Sequence, residues 1–290
     1  MSKDFRSKRK LLPSEACAHA EGPDLPPQDL IGEDVWNSIM SLPDDVSLRT
    51  SNDYGTELKH MHELWESLID ILGETEDVMW HSLLDVADES MACIVNSMIG
   101  FYRIAASCLR NSLEIVTHGA YYQRCKSVSE YKNWRSIQGD ISFDTACNNL
   151  NKLNDVKSIN DFLYKKMNDT LFDQKNSRYQ GYSGGWARKL YSELSNFVHA
   201  KPSYSHVATW DGSTGPIYVK HSFGKLSALY CDTMALTYVM IKLARPDFNL
   251  PNQTEYIFQF PKIKPSKLSV YTYKYLWEDE FPEKSKIKFL

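Results

Sequence analysis

Between Val78 and Cys125 the chain reads VMWHSLLDVADESMACIVNSMIGFYRIAASCLRNSLEIVTHGAYYQRC. Apolar residues return every three or four positions: Leu83, Val86, Ala87, Met91, Ile94, Val95 and Met98, then Tyr102, Ala105, Leu109, Leu113 and Val116. A recurrence near 3.6 is the signature of helix with one face turned to a core. The run is too long for one ordinary helix, and Gly100 predicts a bend part-way. Acidic residues between Glu74 and Asp77 suit the helix N-terminus that precedes it.

The same spacing continues on both sides. Asp53–Leu72 places Leu58, Met61, Leu64, Trp65, Leu68, Ile69 and Leu72 on one face, with Gly73 as a stop. Shorter helices are expected over Phe143–Leu153 and Ile159–Met167. Another is expected over Trp186–Ala200, and a longer one over Ser222–Leu243, ended near Arg245-Pro246. Residues 203–221 change period: Val207 and Thr209 alternate with their neighbours, Asp211 to Gly215 turns, and Ile217 and Val219 return. That pattern predicts an inserted β-hairpin.

Residues 1–30 hold Pro13, Pro23, Pro26 and Pro27 without periodicity and read as a disordered or extended tail. The basic run Arg6 to Lys10 is a localisation or anion patch in some chains and a solvated stretch in most. Residues 31–246 form the expected helical-bundle domain. Residues 247–290 read as an aromatic C-terminal arm, with Tyr256–Phe260 and Tyr271–Trp277 as short strands or extended pieces. The fold expectation is therefore mostly α: a helical bundle with an inserted β-hairpin and an irregular C-terminal arm.

Composition bounds function. The 290 residues carry a net charge of −4, so no global basic field draws the chain onto nucleic acid; any RNA contact must be local. The six cysteines have no CxxC pairing, which fits reduced, buried thiols better than a disulfide framework. Met1 to Lys10 has no apolar core of a secretory signal. The apolar stretches near Ala92–Ala106 and Leu229–Ala244 are interrupted by Asn96 and Arg103, and by Asp232 and Lys242. No membrane span and a cytoplasmic location are expected.

The chemistry-bearing candidates are few. No phosphate loop, dinucleotide fingerprint, HExxH, EF-hand or nucleophile elbow is present. His60 and His62 point about 200° apart on a helix and do not chelate one ion. Asp85, Asp88 and Glu89 share a face, read as a solvated acidic surface before a cation or acid–base site. No metal and no cofactor is expected. Gly181 to Gly185 lead into a helix N-terminus, where free N–H groups favour anions; Gly184 and Gly185 are thus binding candidates, against a plain turn or close packing.

On the helix that follows, Arg188, Ser192, Ser195 and His199 fall within about 60° of one another, with Tyr191 at the edge of the stripe. His199, just before Ala200-Lys201-Pro202, has two roles open to it: a reactive imidazole, or a cap on the helix carbonyls. Arg110 and Glu114 pair at i, i+4 on an otherwise apolar helix, and Arg103 shares their face. Such a pair is either a seam tie or part of a site.

Arg110-x-x-x-Glu114, followed by Tyr191-x-x-Leu194-Ser195-x-x-x-His199, resembles the HEPN (higher eukaryotes and prokaryotes nucleotide-binding) helical-bundle superfamily, over about residues 50–245. The resemblance implies a metal-independent ribonuclease acting as a homodimer in a bacterial antiphage or toxin-type conflict system, or a non-catalytic relative. Catalytic members carry Arg, four to six residues, then His, and Asn196 matches a polar residue often found inside that motif. Here no arginine stands there: Arg188 is the nearest before His199, about 16 Å back along a helix.

Two arrangements would supply the missing guanidinium: Arg110 or Arg103 from the neighbouring helix, or Arg188 of a second copy. In this reading His199, Arg110, Glu114 and Asn196 are the catalytic set. Arg188, Tyr191, Ser195, Arg103, Gly184 and Gly185 bind RNA or a nucleotide. The alternatives are a protein-interaction module anchored by Phe258, Phe260, Tyr273 and Trp277, and a small-molecule sensor using a pocket behind Gly184-Gly185.

Overall fold

Gly100 sets the geometry. In the computed structural model its φ is 88°, a left-handed value that side chains other than glycine rarely adopt. It closes the turn between two long helices, α3 (Val78–Met98) and α4 (Tyr102–Cys125). The single apolar run in the sequence is thus two helices folded back on each other at the expected bend. A Cβ at Gly100 would stand 2.6 Å from the backbone nitrogen of Ile217, so backbone also packs against the turn.

The structure describes residues 31–72, 77–138, 141–172, 185–198, 216–251, 257 and 265–277. The chain divides into two units, at Pro43. In the first, the described residues form α1 (Glu33–Trp36) and a π-helical turn, Asn37–Ser41. Ile31, Val35, Ile39, Met40 and Leu42 are exposed there. The helix α2 (Leu42–Leu72) starts at the division and enters the second unit. It breaks at Tyr54 (φ −134°, ψ 26°), beside the expected start at Asp53.

In the second unit α3 and α4 are followed by α5 (Val128–Asn133), a π-helical turn Trp134–Gln138, α6 (Phe143–Leu150) and α7 (Asn154–Met167). Then come α8 (Trp186–Val198), α9 (Lys220–Ala244) and α10 (Lys267–Leu276). Helix α4 is the post: α3, α6, α8 and α9 all pack on it. Gly119 lets α3 approach, since a Cβ there would lie 2.7 Å from Ser82 Cβ.

Helix α9 is buried nearly all round, as expected of a helix apolar on every face. It is long and apolar enough to cross a membrane, yet 83% of its apolar window is buried inside the fold. Its tyrosines reach α2: Tyr230 donates to the Met61 carbonyl at 2.8 Å and Tyr238 to the Leu64 carbonyl at 3.3 Å. Tyr273 of α10 donates to the Ala235 carbonyl at 2.9 Å. Each of these three buried tyrosine hydroxyls therefore has an acceptor, which offsets its desolvation.

Two expectations change. The first arm of the hairpin at 203–221 lies outside the described residues. Its second arm is no strand: Ile217 and Val219 lead as irregular chain into α9, which begins at Lys220. The Val219 amide donates to the Tyr102 hydroxyl at 3.0 Å, so that group is held by a side chain instead of a ladder. The segment Tyr271–Trp277 is helix and not an extended arm. Its tyrosines alternate, but Val270, Tyr273 and Trp277 also share a helical face, and the Ser266 hydroxyl caps the turn by accepting from Ser269 N at 3.0 Å. Tyr273 and Trp277 are buried, so they serve the core and not a partner. Phe258, Phe260 and the 1–30 tail lie outside the described residues.

The start of α3 is tied to the end of α9. Asp77 accepts from the Trp80 amide at 2.8 Å and from Arg245 Nε and Nη2 at 2.9 and 2.7 Å. Burial alone would raise the Asp77 carboxyl, but the Arg245 hydrogen bonds, the Trp80 amide and the Arg245 charge hold it below its ordinary 3.8. A carboxylate with a folded value below its unfolded one stabilises fully above the unfolded value and loses that contribution as pH falls through the folded one. Asp77→Asn should therefore cost about 1–3 kcal/mol near neutral pH. Urea midpoints of the two proteins should converge as pH falls below about 4. A difference independent of pH would contradict the tie.

Candidate functional site

Four of the sequence candidates meet between α4 and α8. Arg110 Nη1 donates to Glu114 Oε2 at 2.9 Å, and Arg110 Nε to Ser195 Oγ at 3.3 Å. Arg110 Nη2 donates to the Tyr191 hydroxyl, which in turn donates to Glu114 Oε1 at 3.3 Å. The guanidinium carbon lies 4.7 Å from the centre of the Tyr191 ring. That ring stacks on Phe143 of α6 with centroids 4.0 Å apart and planes 4° apart. The ion pair is mostly shielded, the side chains of Arg110 and Glu114 being 19% and 27% exposed.

The circuit closes on itself: guanidinium to phenol, phenol to carboxylate, guanidinium to carboxylate. Burial first, then the Glu114 carboxylate, raise the Tyr191 phenol above its ordinary value against the pull of Arg110. The phenol keeps its proton and acts as donor. Arg110 is therefore fastened at Nε, Nη1 and Nη2, which makes it a seam pin first and a phosphate ligand only after rearrangement.

Arg103 differs. Two turns before Arg110 on α4, it is exposed and bonds one group, the Phe197 carbonyl, through Nε at 3.4 Å. Its Nη groups make no hydrogen bond among the described residues. A cation there complements the α8 C-terminus, and the Phe197 carbonyl that it bonds stands two residues in sequence before His199. His199 itself lies outside the described residues, as does Gly184.

Arg188 turns the other way. Its Nη2 donates to Asn148 Oδ1 at 2.6 Å and to the Asp144 carbonyl at 3.4 Å, with Nε 3.5 Å from Asp144 Oδ1. The stripe drawn from Arg188 through Ser195 is thus split: Arg188 belongs to the α6 contact, Ser195 to the α4 contact, and Ser192 is exposed. Asn196 is half-buried with no hydrogen bond among the described residues. Gly185 is buried and its carbonyl accepts from Lys189 N at 3.0 Å. The next two amides are already used, Trp186 N on Thr170 O at 2.9 Å and Ala187 N on Leu171 O at 3.1 Å. That leaves little of the anion cradle expected at this helix start.

Other chemistries narrow as well. Burial pushes the thiols of Cys108 and Cys147 up to about 12, and raises Cys93, Cys125 and Cys231 too, so these are poor nucleophiles at neutral pH. Asp85 pairs with Arg135 at 2.9 Å, and Glu89 accepts from Asn111 at 3.2 Å. Among the described residues no cluster of three or more His, Cys, Asp or Glu side chains could hold a metal. Comparison with family models, with curated proteins and with solved structures gives no match for this chain.

Sequence reasoning missed Phe143, Asp144 and Asn148. Only the fold brings α6 beneath α8, and no local spacing announces it. The polar seam makes a direct prediction for Arg110→Lys. An ammonium cannot span Glu114, Tyr191 and Ser195 together, so the variant should lose about 1–3 kcal/mol in urea unfolding, and Arg110→Ala at least as much. A lysine variant as stable as wild type would show that the seam does not need the planar fork.

Proposed function

We propose that the chain is a HEPN-like helical module of a bacterial conflict system that binds RNA phosphate and cleaves it without a metal ion. The carrying observation is the meeting of Arg110, Glu114, Tyr191 and Ser195, motif residues separated by as many as 85 positions in sequence. The Arg103 guanidinium beside the end of α8 supports the same reading. In it Arg103 replaces Arg110 as the group that neutralises the phosphate, because its Nη donors are uncommitted among the described residues. Arg110 and Glu114 position α8 through Tyr191 and Ser195. His199 takes or gives the proton at the scissile bond, a role suited to an imidazole near neutral pH. A homodimer, as the resemblance implies, would set two such sites together.

A second reading, a non-catalytic interaction module, is favoured by a different observation: the saturation of Arg110, which fits a structural seam. In the first unit Ile31, Val35 and Ile39 repeat at i, i+4 and i+8 and are exposed, with Met40 and Leu42 beside them. Exposed apolar side chains grouped in this way suit contact with a partner protein.

The two part in one experiment. With RNA integrity followed in cells after induction, wild type should degrade RNA, and His199→Ala or Arg103→Ala should slow it about 100-fold or more. Intact RNA with wild type, or undiminished cleavage by both variants, would remove the nuclease and leave the interaction module.

A further inference from the structure

At the other end of the α3–α4 pair lies a cleft of about 700 Å³, between the first turn of α3 and the segment formed by α5 and the following π-turn. Its size falls within the range of small-molecule sites. One wall is aromatic. The His81 ring stacks on Tyr131 with centroids 6.0 Å apart and an interplanar angle of 29°, and the edge of Trp80 fixes it from the side. Val78 and Val128 add apolar surface.

The polar groups around this wall are unevenly spent. Arg135 makes all its bonds through Nη1, to Asp85 Oδ2 at 2.9 Å, Tyr131 OH at 3.3 Å and the His81 carbonyl at 3.4 Å. Its Nε and Nη2 donors stay unused among the described residues, yet the guanidinium is already held in place. Lys132 lines the same cleft, is exposed, and makes no ion pair or hydrogen bond among the described residues.

The described carboxylates at and beside the cleft are already paired. Asp77 is neutralised by Arg245, and Asp85 by Arg135. Among the described residues the charge of Lys132 is left uncompensated. The α3 N-terminus is not the attraction, since Gln123 and Asp77 already accept from the amides of Val78 and Trp80.

We propose that this cleft binds a small planar organic anion, a flat ring carrying one carboxylate or phosphate. The ring would lie against His81, which the buried Tyr131 backs, and the anionic group between Lys132 Nζ and the side of the Arg135 fork that makes no bond among the described residues. The cleft lies about 20 Å along α4 from Arg110, taking Gln123 as its marker, so its occupancy does not depend on the proposed nuclease reading.

The test is titration calorimetry on the full chain with adenosine monophosphate and with salicylate, two anions of this class from different sources. Adenosine serves as the uncharged control. At least one anion should saturate. Lys132→Gln, an exposed substitution that leaves the core untouched, should weaken it by about tenfold or more, and Arg135→Gln likewise. Adenosine should bind at least about tenfold more weakly than its monophosphate if the nucleotide is the occupant.

His199→Ala should leave the affinity unchanged, which separates failure of this site from failure of the nuclease. No saturation by either anion below about 10 mM, or equal affinity in Lys132→Gln, would overturn the proposal. A single-stranded oligonucleotide binding there more tightly than the monophosphate would replace it with an RNA groove.

Discussion

The fold depends on how closely α3 and α4 can approach. Gly119 presents hydrogen where any other residue would push into Ser82, and Gly100 turns the chain in a conformation that a Cβ disfavours. With those two positions satisfied, an apolar stripe from Tyr102 to Ala120 is available for the rest of the chain to bury. Every further helix against α4 removes apolar area from water at about 25 cal/mol per Å². The helical propensity of the separate segments contributes much less.

A core of this kind leaves a difficulty with polar groups, and the chain resolves it in two ways. Single hydroxyls are given carbonyl acceptors on neighbouring helices, as with Tyr230, Tyr238 and Tyr273. Several charged groups stand at the borders of the packed faces and are bonded in closed sets. Arg110, Glu114 and Tyr191 form one such set, and Arg245 with Asp77 another. Closure has a functional cost: a guanidinium fastened at three nitrogens orients its neighbours well and is slow to accept a ligand. Among the described residues Arg103 and the outer side of Arg135 keep donors to spare, and for that reason they bear the functional proposals.

The helices were legible because periodicity reports local geometry. The apolar repeat of α3 and α4, the bend at Gly100, and the extents of α8 and α9 to within a few residues could be read directly. Pairing of Arg110 with Glu114 was legible for the same reason, being one turn apart. The partners across helices were not. Phe143 beneath Tyr191 and Asn148 beneath Arg188 follow from tertiary packing, which leaves no trace in spacing. Tyr271 to Trp277 misled because alternating tyrosines satisfy a two-residue period while Val270, Tyr273 and Trp277 satisfy a helical one. Burial against α9 decides between them. The Arg135 cleft was illegible because it joins the first turn of α3 to a π-turn with no motif of its own.

The Arg110 seam and the Arg135 cleft sit toward opposite ends of α4, so both inherit their geometry from the turn that folds α3 onto it. The most direct measurement is the unfolding free energy of Gly100→Ala and Gly100→Asn. Asparagine tolerates a left-handed φ better than alanine, but both carry a Cβ that meets the backbone of Ile217. Both variants should lose about 2 kcal/mol or more in urea unfolding. Stability within about 0.5 kcal/mol of wild type for the alanine variant would contradict the account of the turn, and with it the placement of both sites.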